Sequence, residues 1–142
     1  MRLQLLYEFN GRVDTREVLR PNAQGPRMRI NCSGTLRGSG PVATFEGAMN
    51  FGFVANPRGT GVYRWKSRGI GFGPGGPAFM WRGIGSGQRS PDGFIYRGGA
   101  LLRAVLPEFS WLDALACAFE YRQQADGSRV HLACHILDDE AA

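Results

Sequence analysis

Apolar and polar residues alternate with a period of two along most of this chain, a rhythm that puts successive side chains on opposite faces of an extended backbone. From Arg27 to Arg37, Met28, Ile30, Cys32 and Leu36 oppose Arg27, Arg29, Asn31, Ser33, Thr35 and Arg37. Leu3, Leu5, Tyr7 and Phe9 oppose Arg2, Gln4 and Glu8, and Phe45, Gly47, Met49, Phe51 and Phe53 oppose Thr44, Glu46, Ala48, Asn50 and Gly52. Further on, Phe94, Tyr96, Gly98, Ala100 and Leu102 alternate with Ile95, Arg97, Leu101 and Arg103. Glycine supplies 21 of the 142 residues, and at roughly 1 kcal/mol per glycine in a helix interior a helical bundle is excluded. The 11% of aromatic residues excludes a disordered chain, which lacks the surface to bury. The pattern predicts an all-β protein, a single antiparallel β-barrel domain over residues 1–142 with about eight or nine strands, because closure removes exposed edges. Glycines within strands, such as Gly34, Gly47, Gly52, Gly83 and Gly98, are expected to let those strands curve.

Two stretches interrupt the rhythm. Gly71-Phe72-Gly73-Pro74-Gly75-Gly76-Pro77 reads as a connecting loop between two aromatic strands, since proline removes a donor and glycine weakens a strand. Trp111 to Gln124 is ambiguous: Ser110 can cap a helix and Gly127 can end one. Yet Ala125-Asp126-Gly127-Ser128 is a hairpin signal leading into the alternating Val130, Leu132, Cys134 and Ile136. Strand is the favoured reading, with a short helix near 111–123 as the alternative. A turn centred on Asp126 and Gly127 places Phe119 opposite Cys134 and Tyr121 opposite Leu132. It also sets Glu120 diagonal to His131 and His135, within reach across a strand pair.

The net charge is +5, from sixteen arginines and Lys66 against twelve acids. So lopsided a ratio of arginine to lysine reads first as codon bias. The alternative is a basic strand face, Arg64, Lys66, Arg68, Arg82 and Arg97, that binds single-stranded nucleic acid by charge and stacking; this is the lesser expectation. Cys32, Cys117 and Cys134 are an odd number with no ligand spacing, so they read as buried thiols in a reducing compartment, with neither a disulfide framework nor a metal site. The charged, alternating N-terminus is neither a signal peptide nor a membrane span. A cytoplasmic protein with no membrane partner is expected.

The feature with most chemistry in it is the aromatic set Phe45, Phe51, Phe53, Tyr63, Trp65, Phe79, Trp81, Phe94 and Tyr96, which holds one parity within its strands. Such a face either fills a small barrel or walls a small-molecule cavity. Small neighbours such as Gly47, Ser67, Gly83, Gly98 and Ala100 would leave volume and favour the cavity. Tyr63, Trp65, Trp81 and Tyr96 join an apolar wall to a hydrogen-bonding tip, and with Phe79 and Arg97 they are the expected substrate contacts. Glu46, or Glu120 with His135, are the acid and base candidates.

Gly-punctuated short strands, Trp65 and Trp81 in paired strands and the closing Asp-Gly hairpin resemble the calycin-like and allene-oxide-cyclase-like small β-barrels of bacteria. That resemblance implies a ligand-sized cavity. Some members of those groups bind hydrophobic ligands, and some catalyse cyclisation or isomerisation of polyketide-like substrates; no family catalytic residue carries over. The expected function is binding of a small, largely apolar organic ligand in the barrel, with cyclase or isomerase chemistry that needs no cofactor or metal. The alternatives are the nucleic-acid-binding barrel and a non-catalytic subunit that associates through a second apolar face, as a homodimer at its simplest.

Overall fold

The computed structural model describes residues 2–21, 23–42, 46–59, 61–73 and 75–138. Eight strands run in chain order: β1 (Arg2–Arg20), β2 (Arg27–Gly38), β3 (Glu46–Gly59), β4 (Val62–Gly73), β5 (Gly76–Ser90), β6 (Gly93–Ala104), β7 (Ala116–Gln124) and β8 (Val130–Asp138). Each pairs antiparallel with the next, and β8 returns to β1 to close a barrel. The closing ladder runs from Arg2 opposite Asp138 to Gly11 opposite Val130. Most large apolar side chains point inward and the charged ones outward, whereas the outer band of a transmembrane barrel is apolar. Among the described residues no helix is long and apolar enough to cross a membrane.

The structure corrects the sequence reading at three places. Within the expected loop, Gly71–Gly73 and Gly76–Pro77 are strand: β4 and β5 continue until Phe72 faces Pro77 and Gly73 faces Gly76. Proline is tolerated there because the ladder slips register between Gly71 and Phe72, at a bulge near the strand end. The ambiguous stretch divides between both readings. Pro107–Ala114 is a 3-10 helix and Ala116–Gln124 is strand. Pro107 suits the first helical turn, Leu112 is wholly buried at the barrel end, and the Asp113 carboxylate accepts the Ala104 N–H at 2.7 Å, where β6 stops. In β1, Leu3 is 55% exposed while Leu6 and Tyr7 are both buried, because a bulge between Leu5 and Tyr7 in the β1–β8 ladder reverses the parity.

The hairpin register is as the Asp126-Gly127 turn implies: Phe119 faces Cys134 and Tyr121 faces Leu132. The turn itself is wider, since the Gln124 N–H donates to the Arg129 carbonyl at 3.0 Å and leaves Ala125–Ser128 between them. Gly127 takes the left-handed φ of 76° that makes this loop possible.

Besides Gly73 and Gly76 at the ends of β4 and β5, two pairs of glycines face each other across the wall, Gly11 with Gly34 and Gly85 with Gly98. A Cβ on Gly34 would strike the Asn10 carbonyl, and one on Gly98 the Ile84 carbonyl. These pairs let neighbouring backbones approach and the sheet bend. A second group lies beneath rings: Gly69 faces Trp81, Gly71 faces Phe79 and Gly87 faces Tyr96, and a Cβ on any of them would collide with that ring. The inward glycines therefore do not leave empty volume; aromatic side chains from the next strand occupy it.

Gly98→Ala should cost about 3 kcal/mol or more in denaturant unfolding, or prevent folding, because the clash is with backbone. Gly59→Ala, whose added methyl would meet nothing within 4 Å, should change stability little.

Candidate functional site

The barrel interior gathers aromatic residues from β1 and from β3 through β7, all on inward parity. Trp81 packs edge-on against Phe119 at 4.9 Å and tilts against Phe51 at 5.5 Å. Tyr121 stands edge-on to Phe53 at 5.3 Å and to Tyr96 at 5.5 Å. Between these rings lies a cavity of about 20 Å³, bounded by Phe51, Phe53, Trp65, Trp81, Tyr96 and Tyr121, with Ser67, Phe119 and Leu132 completing it. That is room for one water. In this packing the interior has no space for an organic ligand.

What distinguishes this core from an ordinary packed one is its polar content. Ser67 is satisfied, donating to the Gly52 carbonyl at 3.0 Å, and the Tyr121 hydroxyl donates to Gln123 Oε1 at 2.7 Å with the Cys32 sulfur 3.6 Å away. The Tyr63 and Tyr96 hydroxyls, the Trp65 and Trp81 indole N–H groups and the Gln123 amide nitrogen are buried with no protein hydrogen-bond partner. The Tyr7 hydroxyl has only thiols for polar company, those of Cys134 and Cys117, which are weak partners. Buried polar atoms without partners are uncommon in folded proteins. Here they cluster inside one barrel.

Burial pushes the phenols of Tyr7, Tyr96 and Tyr121 well above their ordinary value, with the neighbouring Tyr63 adding to the effect at Tyr96. The same desolvation raises the Cys32 thiol to about 11 and holds Cys134 well up. Among the described residues, the buried polar side chains beyond the aromatics and thiols are Ser67 and Gln123. The interior is therefore an aromatic space rich in hydrogen-bond donors, with no acidic or basic side chain among its buried described residues. It suits a carbonyl or ether oxygen on an apolar frame, and it has no buried carboxylate or imidazole among the described residues to move a proton.

Of the residues expected to contact a substrate, Trp65, Trp81 and Tyr96 line this cavity. Tyr63 sits nearer one end, its ring 6.1 Å from Phe94, and Phe79 lies against Tyr7 at 5.3 Å. Phe45 falls outside the described residues. Arg97 points outward, where its Nε donates to Glu120 at 3.0 Å; Arg122 donates to the other carboxylate oxygen at 2.8 Å. Glu120 is thus held by two guanidinium groups and not by the histidines. His131 instead faces Glu8 at 3.4 Å, and His135 is half-buried on the outer wall opposite Leu5 and Ala118. Glu46 is exposed at the start of β3, opposite Arg37. The acid and base candidates are scattered over the outside, away from the cavity. No group of three metal-ligating side chains occurs among the described residues.

Phe119, Tyr121, Gln123 and Leu132 belong to the interior as much as the aromatic set does, and sequence reasoning had not placed them at the site. Their signal is present: Cys117, Phe119, Tyr121 and Gln123 hold a single parity through β7, Leu132 faces Tyr121 from β8, and a glutamine on an inward parity is a polar group committed to burial.

No protein-family model and no curated protein matches the sequence. The fold has solved relatives. A protein of unknown function from Clostridium acetobutylicum aligns with a TM-score of 0.76 at 15% identity, covering 97% of this chain and all of that one. A β-barrel-like protein from Acinetobacter baumannii aligns at 0.74 and 15% identity, over 96% of both chains. A conserved protein of unknown function from Rhodopseudomonas palustris aligns at 0.74 and 12% identity, over 96% of this chain and 98% of that one. The class defined is that of small, closed, eight-stranded antiparallel barrels.

The two arginines hold the Glu120 carboxyl below its ordinary value, Arg122 contributing most. A depressed carboxyl stabilises the fold above its unfolded pKa, and that contribution fades as pH falls through the folded one. Glu120→Gln should therefore flatten the acid limb of the stability profile below about pH 4.5 while costing no more than about 1 kcal/mol at pH 7, as expected for an exposed pair. Thermal unfolding across pH checks both.

Proposed function

We propose that the barrel interior binds a small, largely apolar organic molecule carrying at least one hydrogen-bond acceptor. The observation that carries this reading is the set of buried donors without protein partners on aromatic walls. A core that served only to hold the barrel together would do as well with phenylalanine at Tyr63 and Tyr96, since a buried hydroxyl without a partner costs about 1–3 kcal/mol. Aromatic walls with a few convergent polar groups are the ordinary make-up of a small-molecule site.

Binding requires the rings to move, because the present cavity holds one water. Trp81 and Tyr96 lie flat over Gly69 and Gly87, positions with no Cβ to wedge them, and rotation of either ring opens the volume it now fills. Tyr63 lies at the end of the barrel covered by the β1–β2 connection. Its hydroxyl lies under Gly25 in the β1–β2 connection, where a Cβ would stand 2.6 Å away.

If the bound molecule is transformed, the chemistry is limited to what neutral donors can do: hold a flexible chain near its reactive conformation and polarise a carbonyl. A cofactor-independent cyclase or isomerase fits that limit, in keeping with the resemblance to calycin-like and allene-oxide-cyclase-like barrels. Glu46, Glu120 and His135 contribute to such a reaction only by a rearrangement that carries them inward, so this reading rests on the interior donors.

Titration with a naphthyl ketone and with its hydrocarbon analogue, followed by tryptophan fluorescence, tests the proposal. Saturable quenching is expected, largely lost in Trp81→Phe. Tyr96→Phe should weaken the ketone about fivefold, the worth of one hydrogen bond, leave the hydrocarbon unchanged and not lower the melting temperature. Absence of saturable binding by either compound, with Tyr63→Phe and Tyr96→Phe both raising stability, would show the interior to be structural.

A further inference from the structure

The charge of this protein is unevenly placed. Residues 47 to 107 hold eight arginine and lysine residues against a single acid, Asp92, whereas residues 108 to 142 hold two against seven. Codon bias accounts for arginine over lysine but not for this segregation. Within the barrel, β4, β5 and β6 contain no acidic residue, so one continuous wall is cationic.

That wall is apolar as well. Arg68 faces Arg82 directly, Arg82 faces Leu101, Lys66 faces Ile84 and Met80 faces Arg103. Ile84 is 65% exposed, Leu101 70% and Met80 50%. Like charges directly opposite on a sheet are destabilising, and among the described residues no carboxylate pairs with Lys66, Arg68, Arg82 or Arg103. The other exposed cations on the barrel include several that are neutralised: Arg12 by Asp14, Arg29 by Glu17, and Arg97 and Arg122 by Glu120.

We infer that the outer wall of β4, β5 and β6 docks on an anionic lipid surface, its cations meeting phosphate headgroups and Met80, Ile84 and Leu101 entering the boundary of the acyl chains. The mixture of side chains selects this occupant. Single-stranded nucleic acid is held by charge together with stacking on aromatic rings. Of the aromatic residues of these strands, Tyr63, Trp65, Phe79, Trp81 and Tyr96 are buried in the barrel, Phe94 packs against that core, and Phe72 is half-buried near the end of β4. A second copy of the same wall would bring cations against cations. An anionic bilayer satisfies both components, with each cation near the surface worth roughly fivefold in partitioning. The expectation of no membrane partner came from the lack of an apolar span. This wall offers no span; it lies on a surface. The inference is independent of what the interior holds.

Flotation of the full chain with phosphatidylcholine vesicles, with and without phosphatidylglycerol, tests it. Binding is expected only to the vesicles containing phosphatidylglycerol. Arg68→Glu/Arg82→Glu should reduce it more than tenfold, and Arg68→Gln/Arg82→Gln carries the same test with a smaller loss should the glutamates disturb folding. Ile84→Ser/Leu101→Ser, with an unchanged melting temperature, should lower binding severalfold and remove what persists in high salt. No binding to anionic vesicles, or binding indifferent to the arginine pair, overturns the proposal. So does binding to a single-stranded oligonucleotide that is tighter than to vesicles and insensitive to the serine substitutions, which would assign the wall to nucleic acid instead.

Discussion

Ring over glycine is the contact on which this barrel depends. Closing eight strands fixes a narrow interior that side chains must fill, and a barrel lined at every inward position by large residues would not close. Here large and absent side chains face each other across the ladder: Trp81 over Gly69, Phe79 over Gly71, Tyr96 over Gly87. Where glycine faces glycine, at Gly11–Gly34 and Gly85–Gly98, the wall itself draws in and bends. The rings dominate burial, and the glycines decide where the rings can lie.

That packing also shapes the chemistry. Enclosing tyrosine and tryptophan in a dry space keeps the phenols protonated and strands several of their polar tips without partners. Outside, most ionisable groups face water and several pair with one another, as Glu120 does with Arg97 and Arg122. The molecule thus divides into a donor-rich interior and a charged exterior on which β4 to β6 carry cations and no acid.

Much of the fold was legible because a two-residue period leaves few choices: inward and outward faces of β2 through β6 follow from it, and the β7–β8 register follows from Asp126 and Gly127. The errors fell where backbone geometry departs from a simple ladder. The bulge between Leu5 and Tyr7 moves Leu3 outward, the slip at Gly71–Phe72 lets a glycine- and proline-rich stretch remain strand, and the 3-10 helix at 107–114 turns on Leu112 finding a buried place at the barrel end.

The residues alone therefore determined an all-β chain with an aromatic inner face, because alternation and glycine content act locally, within a few residues of backbone. Whether those glycines leave space or surrender it to a neighbouring ring depends on which strand lies opposite. Where Glu120 and His131 find their partners depends on it too, as does the gathering of unpaired cations and aliphatic side chains into one wall. Those are contacts between strands, and only their register in the closed barrel decides them. The glycine that reads as a gap along the chain is, across it, the floor beneath an aromatic ring.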